Sequence, residues 1–188
     1  MTVQTPANQQ VSFLIVTSRL KLRVVRPQDA PALLAYRNDP HIARYQSWEL
    51  PYTPAAAGAL IAEMADKVPG DPGWVQIGLE RAGTGELIGD VALSTQGQQA
   101  EIGVTLSKAA QGQGYATEGI QALIDYAFGT LELEQVVAEI DPRNLAVARL
   151  LERLGFVCKE TQVGTYLHRG EWTDNAVYVL PHHTRFKD

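Results

Sequence analysis

The 188-residue chain has one cysteine, Cys158, so no internal disulfide can form and a reducing cytoplasm is the expected setting. It has no hydrophobic run of membrane length. The apolar stretch from Val11 to Val16 is far too short to span a bilayer. No basic residue precedes that stretch and no small-residue cleavage site follows cleanly, which argues against a signal peptide. An excess of positive charge is also missing. Lys and Arg total 16 against 21 Asp and Glu, a net charge of -5, so nothing draws the protein generally toward nucleic acid or an anionic membrane. Histidines number 4, and the adjacent His182 and His183 have no partner at ligand spacing, so no metal site is expected. Cys158 has no recognisable base near it and reads as a small core residue rather than a nucleophile. Fixed-period repeats and low-complexity tracts are absent.

The rest of the composition is that of one globular domain. Hydrophobic residues make up 45% and charged residues 20%, enough for a proper core at this length. Residues 1–16 read as a partly flexible leader, 17–181 as the domain and 182–188 as a tail. Leu20, Leu22 and Val24 alternate with charged residues, a half-buried strand. Pro27 suits a first helical turn, and Ala30, Leu33, Leu34 and Arg37 keep helical spacing up to Pro40. Thr53 and Pro54 open a second helix with a stripe of Ala57, Leu60, Ile61, Met64 and Val68.

Strand-like runs at 74–80, 86–94 and 99–106 follow, joined by tight glycine-bearing turns, and predict an antiparallel meander. A helix buries Ile120, Leu123, Ile124, Ala127 and Phe128 and stops at Gly129. A buried strand at 135–140, a helix over 144–154 and two strands at 156–168 and 172–180 complete the order. The pattern is α+β: a mixed, mostly antiparallel sheet of six to seven strands flanked by about four helices.

The most informative stretch is the strand Glu101-Ile102-Gly103-Val104-Thr105-Leu106, followed by Gln111-Gly112-Gln113-Gly114-Tyr115-Ala116-Thr117-Glu118. A strand runs through a glycine-rich turn directly into a helix. Free backbone N–H groups there, backed by the helix dipole, make an anion site, and Gly112 and Gly114 let a ligand approach the backbone closely. Two phosphate motifs fail on the residues. A P-loop needs Gly-Lys-Ser/Thr, and here Tyr115 and Ala116 follow Gly114. A dinucleotide fingerprint needs a third glycine where Thr117 stands, and it opens a domain rather than following a meander.

The string Gln111 to Ala116 resembles the Gln/Arg-x-x-Gly-x-Gly/Ala pyrophosphate motif of the GNAT (GCN5-related) N-acetyltransferases. With Thr117 and Glu118 it looks most like the RimJ/RimL branch of ribosomal-protein N-terminal acetyltransferases. Three further segments resemble that branch in order: Arg19 to Arg23 with Arg26-Pro27-Gln28-Asp29; Asp141 to Asn144 through Leu154-Gly155-Phe156; and Arg169 to Asp174 with Val177 and Tyr178. The resemblance spans roughly residues 17–180. It implies the GNAT acyl-CoA N-acyltransferase fold and acetyl transfer from acetyl-CoA to an amine, either a protein N-terminus or a small molecule. It also implies that Gln111, Gly112, Gln113, Gly114, Tyr115, Ala116 and Thr117 hold the pyrophosphate. The strand carrying Val104 and Leu106 would bulge and splay from the strand at 136–140, and its backbone would pair with the pantetheine arm. Asn144 would contact the same arm, although an Asn directly ahead of an apolar helix is also a good N-cap. Enzymes of this kind are often homodimers, a state for which the sequence carries no interface signature.

Acetyl transfer needs a proton acceptor for the amine and a proton donor for the departing thiolate. The positions where the family places a tyrosine or a serine for the second task are Leu151 and Val147 here. Tyr45, Tyr115 and Tyr166 are substitutes by residue type alone. An alternative reading is a CoA-binding module with little or no turnover. Glu101, at the start of the splayed strand, is the first candidate base; Asp90, in an apolar strand, is the second; Asp174 is the third. The linker between the early helices, with Tyr45 and Trp48, is the expected source of acceptor contacts.

Overall fold

The computed structural model describes residues 13–182. Most of the expected leader, including residues 1–10, and the tail from His183 onward lie outside the described residues. One sheet of eight strands organises the chain, in the order β1-β2-β3-β4-β5-β6-β8-β7. The strands are β1 (Leu14–Val16), β2 (Leu20–Val24), β3 (Gly73–Arg81), β4 (Leu87–Gln96), β5 (Gln99–Leu106), β6 (Gln135–Ile140), β7 (Val157–His168) and β8 (Glu171–Pro181). The helices are α1 (Ala30–Arg37), α2 (Pro40–Ala43), α3 (Pro54–Met64), α4 (Tyr115–Gly129) and α5 (Leu145–Arg153). The fold is mixed α+β with a mostly antiparallel sheet, as the pattern predicts. Among the described residues it has one strand and one α-helix more than the seven strands and four helices read from the sequence. β1 is a three-residue strand against β2, and α2 is a single turn that begins on Pro40. Asp39 caps it, accepting a hydrogen bond from the His41 amide at 2.8 Å. The helical spacing that runs up to Pro40 in the sequence stops at Arg37, and Pro40 starts α2.

Local chemistry explains the other boundaries. The Thr53 hydroxyl accepts a hydrogen bond from the Ala56 amide at 3.2 Å and starts α3. That helix ends at Met64, short of Val68, whose amide donates instead to the Asp71 carboxylate at 2.8 Å. The turn chemistry of Asp71 wins over the helical spacing of Val68. β4 is buried along Leu87 to Leu93 because helices cover both of its faces, α1 on one side and α4 on the other. Gly89 is required there: a Cβ would stand 2.2 Å from the Thr105 carbonyl oxygen and 2.9 Å from the Leu106 Cα on β5. The edge strand β7 is exposed on both faces over almost its whole length. Cys158 sits on that edge and is exposed, not in the core as its residue type suggested. Among the described residues no helix is long and apolar enough to cross a membrane.

Two ionic clusters fix the α1 side of the sheet. Arg23 on β2 is buried and bridges Asp29 at 2.7 Å and Glu80 at 2.5 Å. Asp90 on β4 is 1% exposed. It accepts hydrogen bonds from the Tyr36 hydroxyl, from Arg37 at 3.3 Å and from Gln76 at 2.6 Å.

Candidate active site

β5 is antiparallel to β4 in unbroken register from Gly89↔Leu106 to Gln96↔Gln99. The expected bulge in β5 is therefore absent. The opening beside it arises differently, from its other neighbour. β5 and β6 are parallel and pair only over Gln99↔Gln135, Ala100↔Val136 and Glu101↔Val137. Beyond Glu101 the strands part, because β6 continues its full ladder with β8 while β5 continues its ladder with β4. The backbone of residues 102–106 thus has no ladder partner on its β6 side. A cleft of about 100 Å³ fills the gap. Ile102, Gly103 and Val104 line one wall and Ala138 and Ile140 the other, with Asn144, Val147 and Leu151 contributed from α5.

Leu106 is buried at the far end of β5, and its carbonyl accepts from the Gln111 side chain at 3.2 Å. From there the chain turns through Gly112 (φ 72°) and Gly114 (φ 82°) into α4. Both values lie in the left-handed region that costs an L side chain about 1–2 kcal/mol. Gly114 is the N-cap of α4, so Tyr115, Ala116 and Thr117 form its first turn, where backbone N–H groups have no acceptor within the helix.

Arg19, which the residue pattern gave no site role, braces this turn. Its Nε donates to Glu118 at 2.7 Å, its Nη1 donates to the Gln113 carbonyl at 2.8 Å, and its guanidinium lies 4.6 Å over the Tyr115 ring. Glu118 in turn accepts from the Thr17 hydroxyl at 2.6 Å and from the Arg19 amide at 2.8 Å. Burial alone would raise the Glu118 carboxyl; the donors around it hold it below the usual carboxylate range. A Glu one turn into a helix and an Arg opening a strand were the available signal, but 99 residues separate them.

Asn144 caps α5, its side-chain oxygen accepting from the Val147 amide at 3.5 Å. Its amide N–H groups have no protein partner among the described residues, and it lines the cleft, so capping leaves it able to bond a second group.

A second cavity, about 420 Å³, opens from the first on the α1 side of the sheet; Tyr45, Gln46, Gly103, Glu139 and Asp141 line both. Glu101 and Asp174 lie in its wall, so two of the three sequence candidates for the base converge there. Register explains part of this. Glu101 sits opposite Val137, so its side chain leaves the sheet on the face shared by Val137 and Glu139. Burial, together with the neighbouring Glu139 charge, raises the Glu101 carboxyl above its ordinary value. Asp174 accepts from the Gly164 amide at 2.9 Å, and Glu139 accepts from Asn175 at 2.7 Å.

Asp90 does not join them. Alternation along β4 and β5 puts Asp90 and Glu101 on one face of the sheet, but α1 covers Asp90, and Tyr36 and Arg37 of α1 together with Gln76 of β3 saturate it with three donors. Such a carboxylate has no path to a substrate proton. Trp48 also turns away: it donates to the Arg37 carbonyl at 3.0 Å and stacks on the Arg37 guanidinium at 4.6 Å. Tyr45 stays in place, lining both cavities, with its hydroxyl donating to the Arg143 carbonyl at 3.4 Å. Trp74 and Tyr166 are further wall residues of the larger cavity, and only Tyr166 drew notice in the sequence. The β7–β8 hairpin is held against α2 by His168 Nε2 and the Arg44 carbonyl at 3.0 Å, and by Arg169 donating to the Ala43 carbonyl at 3.0 Å. A still larger apolar groove of about 720 Å³, between the end of β2 and α3, shares no lining residue with either cavity.

Comparison with known proteins gives the family and the fold. The family model described as acetyltransferase (GNAT) domain matches residues 19–157. An uncharacterized N-acetyltransferase of Bacillus subtilis, YoaA, is 32% identical over 89% of this chain and 96% of its own length. An uncharacterized N-acetyltransferase of Bacillus licheniformis, p20, is 30% identical over 76% of this chain and 81% of its own. The solved structure of Mycobacterium smegmatis RimJ in complex with CoA-disulfide shares the fold, with a TM-score of 0.79 at 19% identity over 90% of this chain and 85% of that one.

Proposed function

Because the chain belongs to the GNAT family of acetyltransferases, we propose that acetyl-CoA lies in the cleft between β5 and β6 and that the adjoining carboxylate-lined cavity receives an amine, on a protein N-terminus or a small molecule. Acetyl-CoA-dependent N-acetyl transfer is the activity of the family. The observation that carries the assignment of its two halves is the early parting of β5 and β6, which leaves a free backbone edge between an anion-binding turn and a wall of carboxylates.

The residues fit acetyl-CoA. The amides at the start of α4, with the Arg19 guanidinium beside them, suit a pyrophosphate. The free edge of residues 102–106 suits the amide groups of an extended arm, and Asn144 has donors to spare. A backbone amide near Val104 polarises the acetyl carbonyl, a kind of contact that contributes about 3–4 kcal/mol to lowering a barrier of this type.

Glu101 accepts the proton that the amine must lose. The amine nitrogen then forms its bond to the acetyl carbon as the carbon–sulfur bond breaks, and the electron pair leaves on the CoA sulfur. Tyr45, at the junction of the two cavities, returns a proton to that sulfur. It takes the part that Val147 and Leu151 cannot play. These two apolar residues also line the cleft, and they are the one feature in favour of a CoA-binding module without turnover.

Thiol release from acetyl-CoA, measured across a panel of amines, tests the assignment. The expected result is release that depends on the amine and falls at least tenfold in Tyr45→Phe. CoA binding by calorimetry without release from any amine supports the non-catalytic module instead. Failure to bind CoA overturns both.

A further inference from the structure

We infer that the acceptor is a primary amine carrying a second positive charge several ångströms away, a diamine or polyamine rather than a monoamine or a peptide N-terminus. The inference rests on the acetyltransferase reading of the two cavities.

Four carboxylates, Glu101, Glu139, Asp141 and Asp174, line the larger cavity, and no Lys or Arg is among its lining residues. One of the four is neutralised: Asp141 is paired with Arg143 at 2.5 Å. Glu139 and Asp174 receive only neutral donors, from Asn175 and from the Gly164 amide. These donors orient the two carboxylates without cancelling their charge. Glu101 has no hydrogen bond or ion pair among the described residues, and burial, together with the neighbouring Glu139 charge, disfavours its ionisation. A cavity with this much uncompensated negative charge is stabilised by a cation entering it.

The negative charges are also spread along the cavity. Glu101 and Glu139 stand where β5 and β6 part, next to the acetyl cleft. Asp174, on β8, lines the larger cavity but not the acetyl cleft, and accepts from the Gly164 amide of β7. If one ammonium gives up its proton to Glu101 at the reacting end, Glu139 and Asp174 remain for a second charge. The walls suit an aliphatic chain between two cations. Trp74 is 43% exposed although it is a large apolar side chain, and with Tyr45 and Tyr166 it presents aromatic faces to the cavity. Such faces attract ammonium groups and cover methylenes. A peptide N-terminus carries one charge and would leave the outer carboxylate unanswered.

The test compares butylamine with 1,4-diaminobutane on the full chain loaded with CoA. By calorimetry at low ionic strength, the diamine is expected to bind at least tenfold more tightly, about 1.4 kcal/mol. The gap is expected to shrink as salt is raised, and to shrink severalfold in the pair Glu139→Gln and Asp174→Asn. Circular dichroism confirms that the variants fold. Equal affinity for the two amines overturns the inference, as does a gap that survives in the double variant. Thiol release with acetyl-CoA is measured in parallel. If the diamine binds preferentially but no thiol is released, the acetyltransferase reading fails and the charge preference stands. If both amines are acetylated with equal kcat/KM, the transferase reading stands and the charge preference falls.

Discussion

The two ends of the cleft are built in opposite ways. The α4 end, where we place the pyrophosphate, is local: residues 111–117 are consecutive, and their backbone, set by Gly112 and Gly114, would provide the donors. The acceptor end is assembled from side chains on the α2 linker, β3, β5, β6, β7 and β8, which lie far apart in the chain. A pyrophosphate is the same in every enzyme that uses CoA, and backbone amides suffice for it. The acceptor differs from enzyme to enzyme, and side chains on separate elements can change one at a time.

Four substitutions test that contrast. The largest effect is expected at Glu101→Gln. Loss of the proposed proton acceptor should lower kcat by 10²-fold or more, while the Kd for acetyl-CoA, measured by calorimetry, stays within a factor of two. An equal loss of CoA affinity would show that the two ends are not separable.

Asp90→Asn should act on stability instead. It leaves the buried Arg37 without its counter-charge, a change that costs about 3 kcal/mol. The Tm should fall by roughly 6–12 °C for a domain of this size, with kcat/KM of the folded protein little changed. A loss of kcat without a loss of Tm would return Asp90 to the list of catalytic groups. Gly114→Val should weaken acetyl-CoA about tenfold through the left-handed backbone it must adopt and through contact with Arg19 Nη2, 3.3 Å from a Cβ at that position. The KM of the amine should not follow.

The smallest effect is on pH dependence. Burial and the Glu139 charge raise the Glu101 carboxyl, so the acid limb of kcat/KM should lie above the ordinary carboxylate range, with activity lost as pH falls through it. Glu139→Gln removes one of the two causes and should move that limb to lower pH. The linkage has the matching sign for stability. The folded state holds the Glu101 proton more tightly than the unfolded chain, so this group's contribution falls as pH rises from the unfolded to the folded value. Glu101→Gln should remove that slope from a plot of Tm against pH.

The same contrast decides which features are legible in the sequence. Glycines at a strand–helix junction and an Asn ahead of an apolar helix declare themselves in a few consecutive residues, so the loop and Asn144 were legible. Alternation and turn residues gave the order of the long elements. β1 was not, because three residues against an edge have too little pattern to stand out. The environment of Asp90 was not legible either: alternation says which face a residue takes, but not that a helix 53 residues earlier brings Arg37 to cover it. The same holds for Trp74 and for the clasp of Arg19 and Glu118, which exist only once distant segments meet. Cys158 misled because residue type is a poor guide on a strand with no covered face.

The three rungs that join β5 to β6 have a mechanical consequence. The sheet is two half-sheets, β1 to β5 and β6 with β8 and β7, joined by one short seam and by the α4 crossover. A pantetheine arm bonded along residues 102–106 would lengthen that seam, so the cosubstrate would act as a missing strand as well as a reagent. Amide hydrogen exchange should therefore slow at 102–106 on CoA binding. It should slow also on the far side of the seam, at 138–140, on a strand that β8 already pairs on its other edge.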